Sequence, residues 1–257
     1  NGINVGDRVA STLYVTCGYC RPCQTGSETV CNNFLGYIGV QFDGGYAEFM
    51  KISAANLVQI GNSISYEEGS ILANAIGTPY HGIIKRARVR PGETVLITGA
   101  GGGVGLHAIQ LATLAGGRVM GADIGEDKCS GILNMGAERS VDPTKDSLVE
   151  SAMEWTNGEG VNVVIELVGT ATISETIRCL ATQGRLAIIG SHTGRTMTTD
   201  PLYLMRKELI VMGSRNCSKQ DLREVVTLVE RGKIKPIFSQ VYPLNQAEDV
   251  LNKMAEG

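Results

Sequence analysis

No run of apolar residues in this chain reaches the roughly 18 that a membrane-crossing helix needs, so no membrane partner is expected. Basic charge is not in excess either. The 23 lysines and arginines stand against 26 aspartates and glutamates, a formal net charge of −3. No block of like charge offsets that average, which argues against nucleic acid or anionic lipid as a partner. The opening residues show no charged, apolar leader with a small-residue cleavage site. Three of the seven cysteines, Cys129, Cys179 and Cys217, are scattered and odd in number, which suits reduced thiols better than a disulfide frame. The expected compartment is therefore the cytoplasm. Internal repeats and low-complexity linkers are also lacking. What remains, 257 residues with 43% hydrophobic and 19% charged, is enough to bury a core in one large or two moderate domains. The chain opens in Asn1-Gly2-Ile3-Asn4-Val5-Gly6-Asp7-Arg8-Val9 without a Met and closes in Met254-Ala255-Glu256-Gly257, so further residues are expected at both ends.

The other four cysteines are concentrated. Cys17-Gly18-Tyr19-Cys20-Arg21-Pro22-Cys23 is followed eight residues later by Cys31. This spacing suits four thiolates converging on one tetrahedral Zn²⁺. Gly18 and Pro22 bend the backbone between ligands, and residues 24–30 bring the fourth sulfur back. A lobe so poor in apolar residues has little core, so metal ligation would supply its folding energy. A closed four-sulfur shell leaves no position for substrate, and the zinc is expected to be structural. The alternative, two disulfides or a redox pair, fits the grouping of three plus one less well.

Residues 1–75 hold short alternating runs such as Tyr46-Ala47-Glu48-Phe49-Met50-Lys51-Ile52, which predict short β-strands and loops around the metal lobe. From about Pro91 the texture changes. Residues 94–98 form a continuous apolar strand run, a glycine loop follows, and 104–115 carry apolar residues at helical spacing. Strands are predicted at 118–122, near 140–141, at 161–166, 185–189 and 209–212, with helices at 128–135, 147–156 and 173–180. Six strands alternating with helices predict an α/β fold with a doubly wound parallel sheet. Helices at 220–231 and 245–255 are expected to return to the β-rich part. The implied division is 1–76, a β-rich domain with the zinc lobe; 77–216, the nucleotide domain; and 217–257, the return segment.

Gly99-Ala100-Gly101-Gly102-Gly103-Val104-Gly105 lies after the first strand and opens the first helix, where a dinucleotide fingerprint belongs. Glycines let the backbone approach a pyrophosphate, whose charge the free N–H groups and dipole of the helix stabilise. After the second strand comes Asp123, 22 residues beyond Gly101, in the place of a carboxylate that accepts hydrogen bonds from the adenosine ribose hydroxyls. It would repel a 2′-phosphate, so NAD(H) is favoured over NADP(H), with Lys128 nearby to moderate the repulsion. A glycine-rich structural turn with a chance acid, or a flavin or other nucleotide, are the alternatives.

The cysteine cluster, the glycine fingerprint and Asp123, with Gly6-Asp7-Arg8-Val9, Asp43-Gly44-Gly45-Tyr46-Ala47-Glu48 and Thr78-Pro79-Tyr80-His81, resemble the zinc-containing alcohol dehydrogenases of the medium-chain dehydrogenase/reductase family along the whole chain. The resemblance implies a GroES-like catalytic domain of β-strands beside a Rossmann nucleotide domain, reaction in the cleft between them, and a homodimer or homotetramer. It implies an NAD(H)-dependent oxidoreductase moving hydride between nicotinamide and an alcohol/carbonyl pair, with Thr78, Val168, Gly190 and Ser191 near the nicotinamide or its ribose. It also implies a second, catalytic zinc with two ligands from before residue 1 and a Cys, Asp or Glu at the position of Asn74. An amide is neutral and a poor Zn²⁺ ligand. That departure opens the alternative of an enoyl (acryloyl)-thioester or quinone reductase of the same family without catalytic zinc; a non-catalytic nucleotide-binding protein is a third reading. Tyr80 and His81 stand near the expected cleft, His107 in the phosphate helix and His192 after the fifth strand, none with a sequence neighbour that marks a catalytic base.

Overall fold

The computed structural model describes residues 2–191, 194 and 196–256. Its first part contains β1 (Val9–Ser11), β2 (Tyr14–Val15), the single helical turn α1 (Arg21–Gln24), β3 (Gly36–Tyr37) and β4 (Leu57–Gln59). β1 pairs antiparallel with β4 and β2 with β3, giving two small sheets. The alternation at 46–52 does not form the predicted strand. Tyr46 is 73% and Phe49 90% exposed, and a strand needs a ladder partner, which no described segment supplies.

A long helical stretch leads into the second part. α2 (Tyr66–Ile71) starts on a capping box, Ser65 with Glu68. It continues through a wide turn at Leu72–Ile76 into α3 (Gly77–Tyr80) and a second wide turn at His81–Ala87. Pro79 lacks an N–H and its ring crowds the preceding turn; π-type widening on both sides accommodates it.

The rest alternates strand and helix: β5 (Thr94–Thr98), α4 (Gly103–Leu114), β6 (Arg118–Ala122), α5 (Glu126–Asn134), β7 (Arg139–Val141), α6 (Leu148–Trp155), β8 (Val161–Glu166), α7 (Thr170–Arg178), β9 (Leu180–Ile188), α8 (Pro201–Arg206), β10 (Ile210–Gly213), α9 (Lys219–Glu230) and α10 (Ala247–Glu256). The six strands from β5 to β10 form one parallel sheet in the order β10-β9-β8-β5-β6-β7. Every residue of β5 is buried, as a central parallel strand covered on both faces must be. β9 begins at Leu180, earlier than predicted, because Leu180 pairs with Val161 ahead of a register shift in β8. One core layer joins α4, α9 and the Leu72–Ile83 helical stretch to one face of the sheet; the other joins α6 and α7 to the opposite face. Chain order reverses between β5 and β8, so their carboxyl ends open a crevice of the kind where doubly wound folds bind ligands.

α9 reaches back to the first part. Glu230 accepts from Gly61 N at 2.8 Å, and the Lys219 ammonium donates to Ala55 O at 2.7 Å. Ahead of it, Arg215 donates to Thr29 O at 3.0 Å and to the Tyr37 hydroxyl, with its guanidinium 4.9 Å from the Phe34 ring centroid.

Candidate functional site

The four cysteines of the lobe converge. Cys20 starts α1 and Cys23 lies inside it, while Cys31 returns after the 3₁₀ turn Glu28–Val30. Sγ to Sγ distances are 3.4 Å for Cys20–Cys23, 3.5 Å for Cys17–Cys31, 3.8 Å for Cys20–Cys31 and 4.0 Å for Cys17–Cys23. Four sulfurs about 2.3 Å from a tetrahedral Zn²⁺ stand about 3.8 Å apart, whereas a disulfide needs about 2.05 Å. The backbone N–H of Cys20 points at Cys17 Sγ (3.4 Å) and that of Cys17 at Cys31 Sγ (3.5 Å), which suits thiolates. Without a cation the cluster is electrostatically divided: burial, then neighbouring thiols, push Cys23 up to about 12. Desolvation also opposes ionisation of Cys17, yet backbone N–H groups of Cys20 and Tyr19 hold it at about 6. A divalent cation removes that conflict, so the donor set fits a structural zinc.

At the sheet crevice, β5 runs into the turn at Gly99 (φ +62°), and α4 starts at Gly103 with no side chain capping it. Its amino-terminal N–H groups and dipole are thus presented to the loop. A Cβ on Gly101 would lie 2.7 Å from Lys128 Cβ and 3.2 Å from Asp123 Oδ2; one on Gly105 would run into Gly99 O and Ala100. Gly103 faces open space. Asp123, at the end of β6, accepts from Gly101 N (2.9 Å) and Ile124 N (2.8 Å), and Lys128 Nζ is 3.6 Å from its Oδ1. Gly101, Asp123 and Lys128, separated in sequence, therefore meet at one rim. Val168, just after β8, lies against the loop, its Cγ2 3.3 Å from a Cβ built on Gly99. A Cβ on Gly190 would overlap Leu167 O, so the turn after β9 presses backbone to backbone on the turn after β8. Ser191 is exposed and donates to Gly194 O at 2.7 Å.

Asn74 sits in the wide turn before α3, exposed, its Oδ1 accepting from the buried Thr78 hydroxyl at 3.1 Å. Among the described residues the four cysteines are the one group of three or more metal-ligating side chains that converge. Tyr80 and His81 turn toward α9 instead. The Tyr80 hydroxyl donates to Glu224 at 2.5 Å, and burial with that carboxylate raises its pKa. His81 Nδ1 is 2.8 Å from the buried Asp221, a partner that sequence distance hid. Burial opposes ionisation of Asp221, but His81 and the Ser218 N–H and hydroxyl hold its carboxyl below the usual range. His107 is buried between Gly103 O (2.6 Å at Nδ1) and Ile237 N (2.9 Å at Nε2), so Nδ1 carries the proton and Nε2 accepts. Burial lowers its pKa, against the Gly103 carbonyl. It is a packing residue. His192 lies outside the described residues.

Sequence reasoning missed two groups. Glu166, closing an otherwise apolar strand, is fully buried at the crevice; the one charge in 161–168 was the available signal. Arg215, which ties the zinc lobe to the sheet, had no such signal.

A zinc-lobed, doubly wound nucleotide-binding protein with a β-rich companion layer is the class these two sites define. The chain belongs to the zinc-binding alcohol dehydrogenase family: residues 1–62 match the alcohol dehydrogenase GroES-like domain and residues 103–231 the zinc-binding dehydrogenase domain. It is 35% identical over 249 residues to an acryloyl-coenzyme A reductase of Metallosphaera sedula, covering 96% of this chain and 72% of that one. An alcohol dehydrogenase of Geobacillus stearothermophilus is 31% identical over 99% of this chain and 74% of its own. The crystal structure of the alcohol dehydrogenase from Aeropyrum pernix superposes with a TM-score of 0.90 at 33% identity, covering 100% of this chain and 74% of that one.

Proposed function

We propose that this chain is an NAD(H)-dependent oxidoreductase with one structural zinc, moving hydride between a nicotinamide and a small-molecule substrate. The observation that carries this reading is the meeting of Gly101, Asp123 and the uncapped start of α4 at one rim. In it, Gly99, Gly101, Gly102, Gly103, Val104 and Gly105 cradle the pyrophosphate, and Asp123, moderated by Lys128, accepts from the adenosine ribose and disfavours a 2′-phosphate. Thr78, Val168, Gly190 and Ser191 border the nicotinamide side. NAD(H), when bound, supplies or accepts the hydride; the chain orients it and excludes water.

Two substrate classes follow from the family. Alcohol/carbonyl exchange is supported by the alcohol dehydrogenases among the relatives. Reduction of an activated double bond, such as an enoyl thioester, is supported by the acryloyl-coenzyme A reductase relative and by Asn74, a neutral amide already engaged by Thr78 where catalytic zinc would need an anionic ligand. Asn74 supports the enoyl substrate in this reading. Zinc per chain by elemental analysis, beside initial rates of NADH oxidation with an acryloyl thioester and an aldehyde, tests this. One zinc and thioester turnover agree with it; two zincs and aldehyde turnover move the assignment to alcohol/carbonyl chemistry.

The division 1–76, 77–216 and 217–257 is kept as a proposal, supported by the two small sheets before the helical stretch and the single parallel sheet after it. A homodimer or homotetramer is also proposed: β10 is an edge strand, and Ile210 on it is 51% exposed. A cytoplasmic setting agrees with the three cysteines outside the zinc cluster, Cys129, Cys179 and Cys217, none of which is in a disulfide.

A further inference from the structure

The carboxylate of Glu166 is fully buried at the carboxyl end of β8. Oε1 accepts from the Thr98 hydroxyl (2.7 Å), Val168 N (2.9 Å), Gly169 N (3.0 Å) and the Thr172 hydroxyl (2.8 Å), and Oε2 from the Thr176 hydroxyl (3.1 Å). All five donors are neutral. A buried charge is costly unless it is richly hydrogen-bonded, and here the amino terminus of α7 adds a favourable dipole. The same residue's main-chain oxygen accepts from Ile189 N (2.9 Å) and Gly190 N (3.1 Å). Thr98 Oγ1, while donating to Glu166, accepts from Leu167 N at 3.0 Å. Glu166 thus joins three strand ends: β5 beside Gly99, the 167–169 turn after β8, and Gly190 after β9.

Packing alone would be served by an apolar residue. A charge with donors drawn from separate strand ends does something packing does not: it ties the end of β5 to the turn after β8, while its main chain holds the turn after β9. We infer that Glu166 is a positioning residue for the dinucleotide, holding the pyrophosphate loop and the nicotinamide-side turns at a fixed separation. This rests on the nucleotide-binding reading above. The residue touches neither substrate nor reacting atoms; it acts through Thr98, Val168 and Gly190.

The test compares Glu166→Gln with Thr176→Val in the purified protein. In the amide variant Oε1 keeps its four donors and the new NH₂ faces Thr176, so shape is retained and the charge that draws the donors together is lost. Thr176→Val removes the one donor on the side away from the loops. NADH affinity is read from the fluorescence of bound NADH, with thermal melting alongside. Glu166→Gln is expected to weaken NADH about tenfold, roughly one hydrogen bond to a charged group, and to alter the bound emission spectrum, with Thr176→Val within twofold of the parent. If both variants bind NADH like the parent, or both weaken it equally, Glu166 is structural only and the inference fails. Should Glu166→Gln not fold, Thr98→Val, which removes the link to the glycine loop, is expected to show the same loss; parent-like affinity there overturns the inference. A parent protein that does not bind NADH refutes the nucleotide reading itself, a different result from either.

Discussion

Replacing Asp123 by Ser is expected to invert the cofactor preference. The Asp123 carboxylate, 12% exposed, accepts from Gly101 N and Ile124 N, and Lys128, 57% exposed, leans on it from 3.6 Å. Ser removes the charge and frees both N–H groups and the ammonium toward whatever occupies the rim. For NADH the loss is that of hydrogen bonds from ribose hydroxyls to a charged acceptor, about 1.5–3 kcal/mol or roughly 10- to 150-fold. For NADPH the gain is the removed repulsion between carboxylate and 2′-phosphate. At about 4 Å that is about 1 kcal/mol per charge pair in water and about 4 kcal/mol in a partly shielded setting. Lys128 already offsets part of it, so the low end applies, about tenfold. The ratio of the two affinities should therefore move by about 100-fold or more, and the NADPH part should shrink in 0.5 M salt as screening rises. Titration of both nucleotides into parent and Asp123→Ser, with melting curves to verify folding, measures it. A ratio unchanged within about threefold would refute the assignment of Asp123 to the ribose.

Two further outcomes are expected. Cys31→Ser should reduce zinc from one per chain to near zero by elemental analysis and lower the melting temperature, because structural zinc sites contribute folding energy directly; retained zinc would place the metal elsewhere. His107, buried and neutral with its pKa lowered by burial, takes up a proton on unfolding once pH falls below about 6.5, so the unfolded state binds more protons there and stability falls with acid. Melting temperature should thus drop more steeply between pH 6.5 and 5 in the parent than in His107→Phe, and equal slopes would contradict that.

The nucleotide half was legible because its signals are local. A five-residue apolar run, a glycine loop and a helical period sit next to one another at 94–115, and the structure returns strand and helix there within one residue. The cysteine lobe was legible for the same reason, its four ligands lying within 15 residues. The 46–52 run misled because alternation states only that a segment suits a strand, while a ladder requires a neighbour. His81 illustrates the other limit: its carboxylate partner lies 140 residues away, on α9.

Sequence by itself determined the α/β class and the four-cysteine lobe, and it located the glycine loop and Asp123 in the order strand, loop, helix, strand, all of which depend on residue type at short spacing. Tertiary structure decided which strands are neighbours, that the crevice opens between β5 and β8, and that Glu166 and Arg215 bind separate strand ends and lobes together. The physical reason is reach: backbone propensity and metal geometry act over a few residues, whereas a buried carboxylate takes its donors from whatever the fold brings within 3 Å.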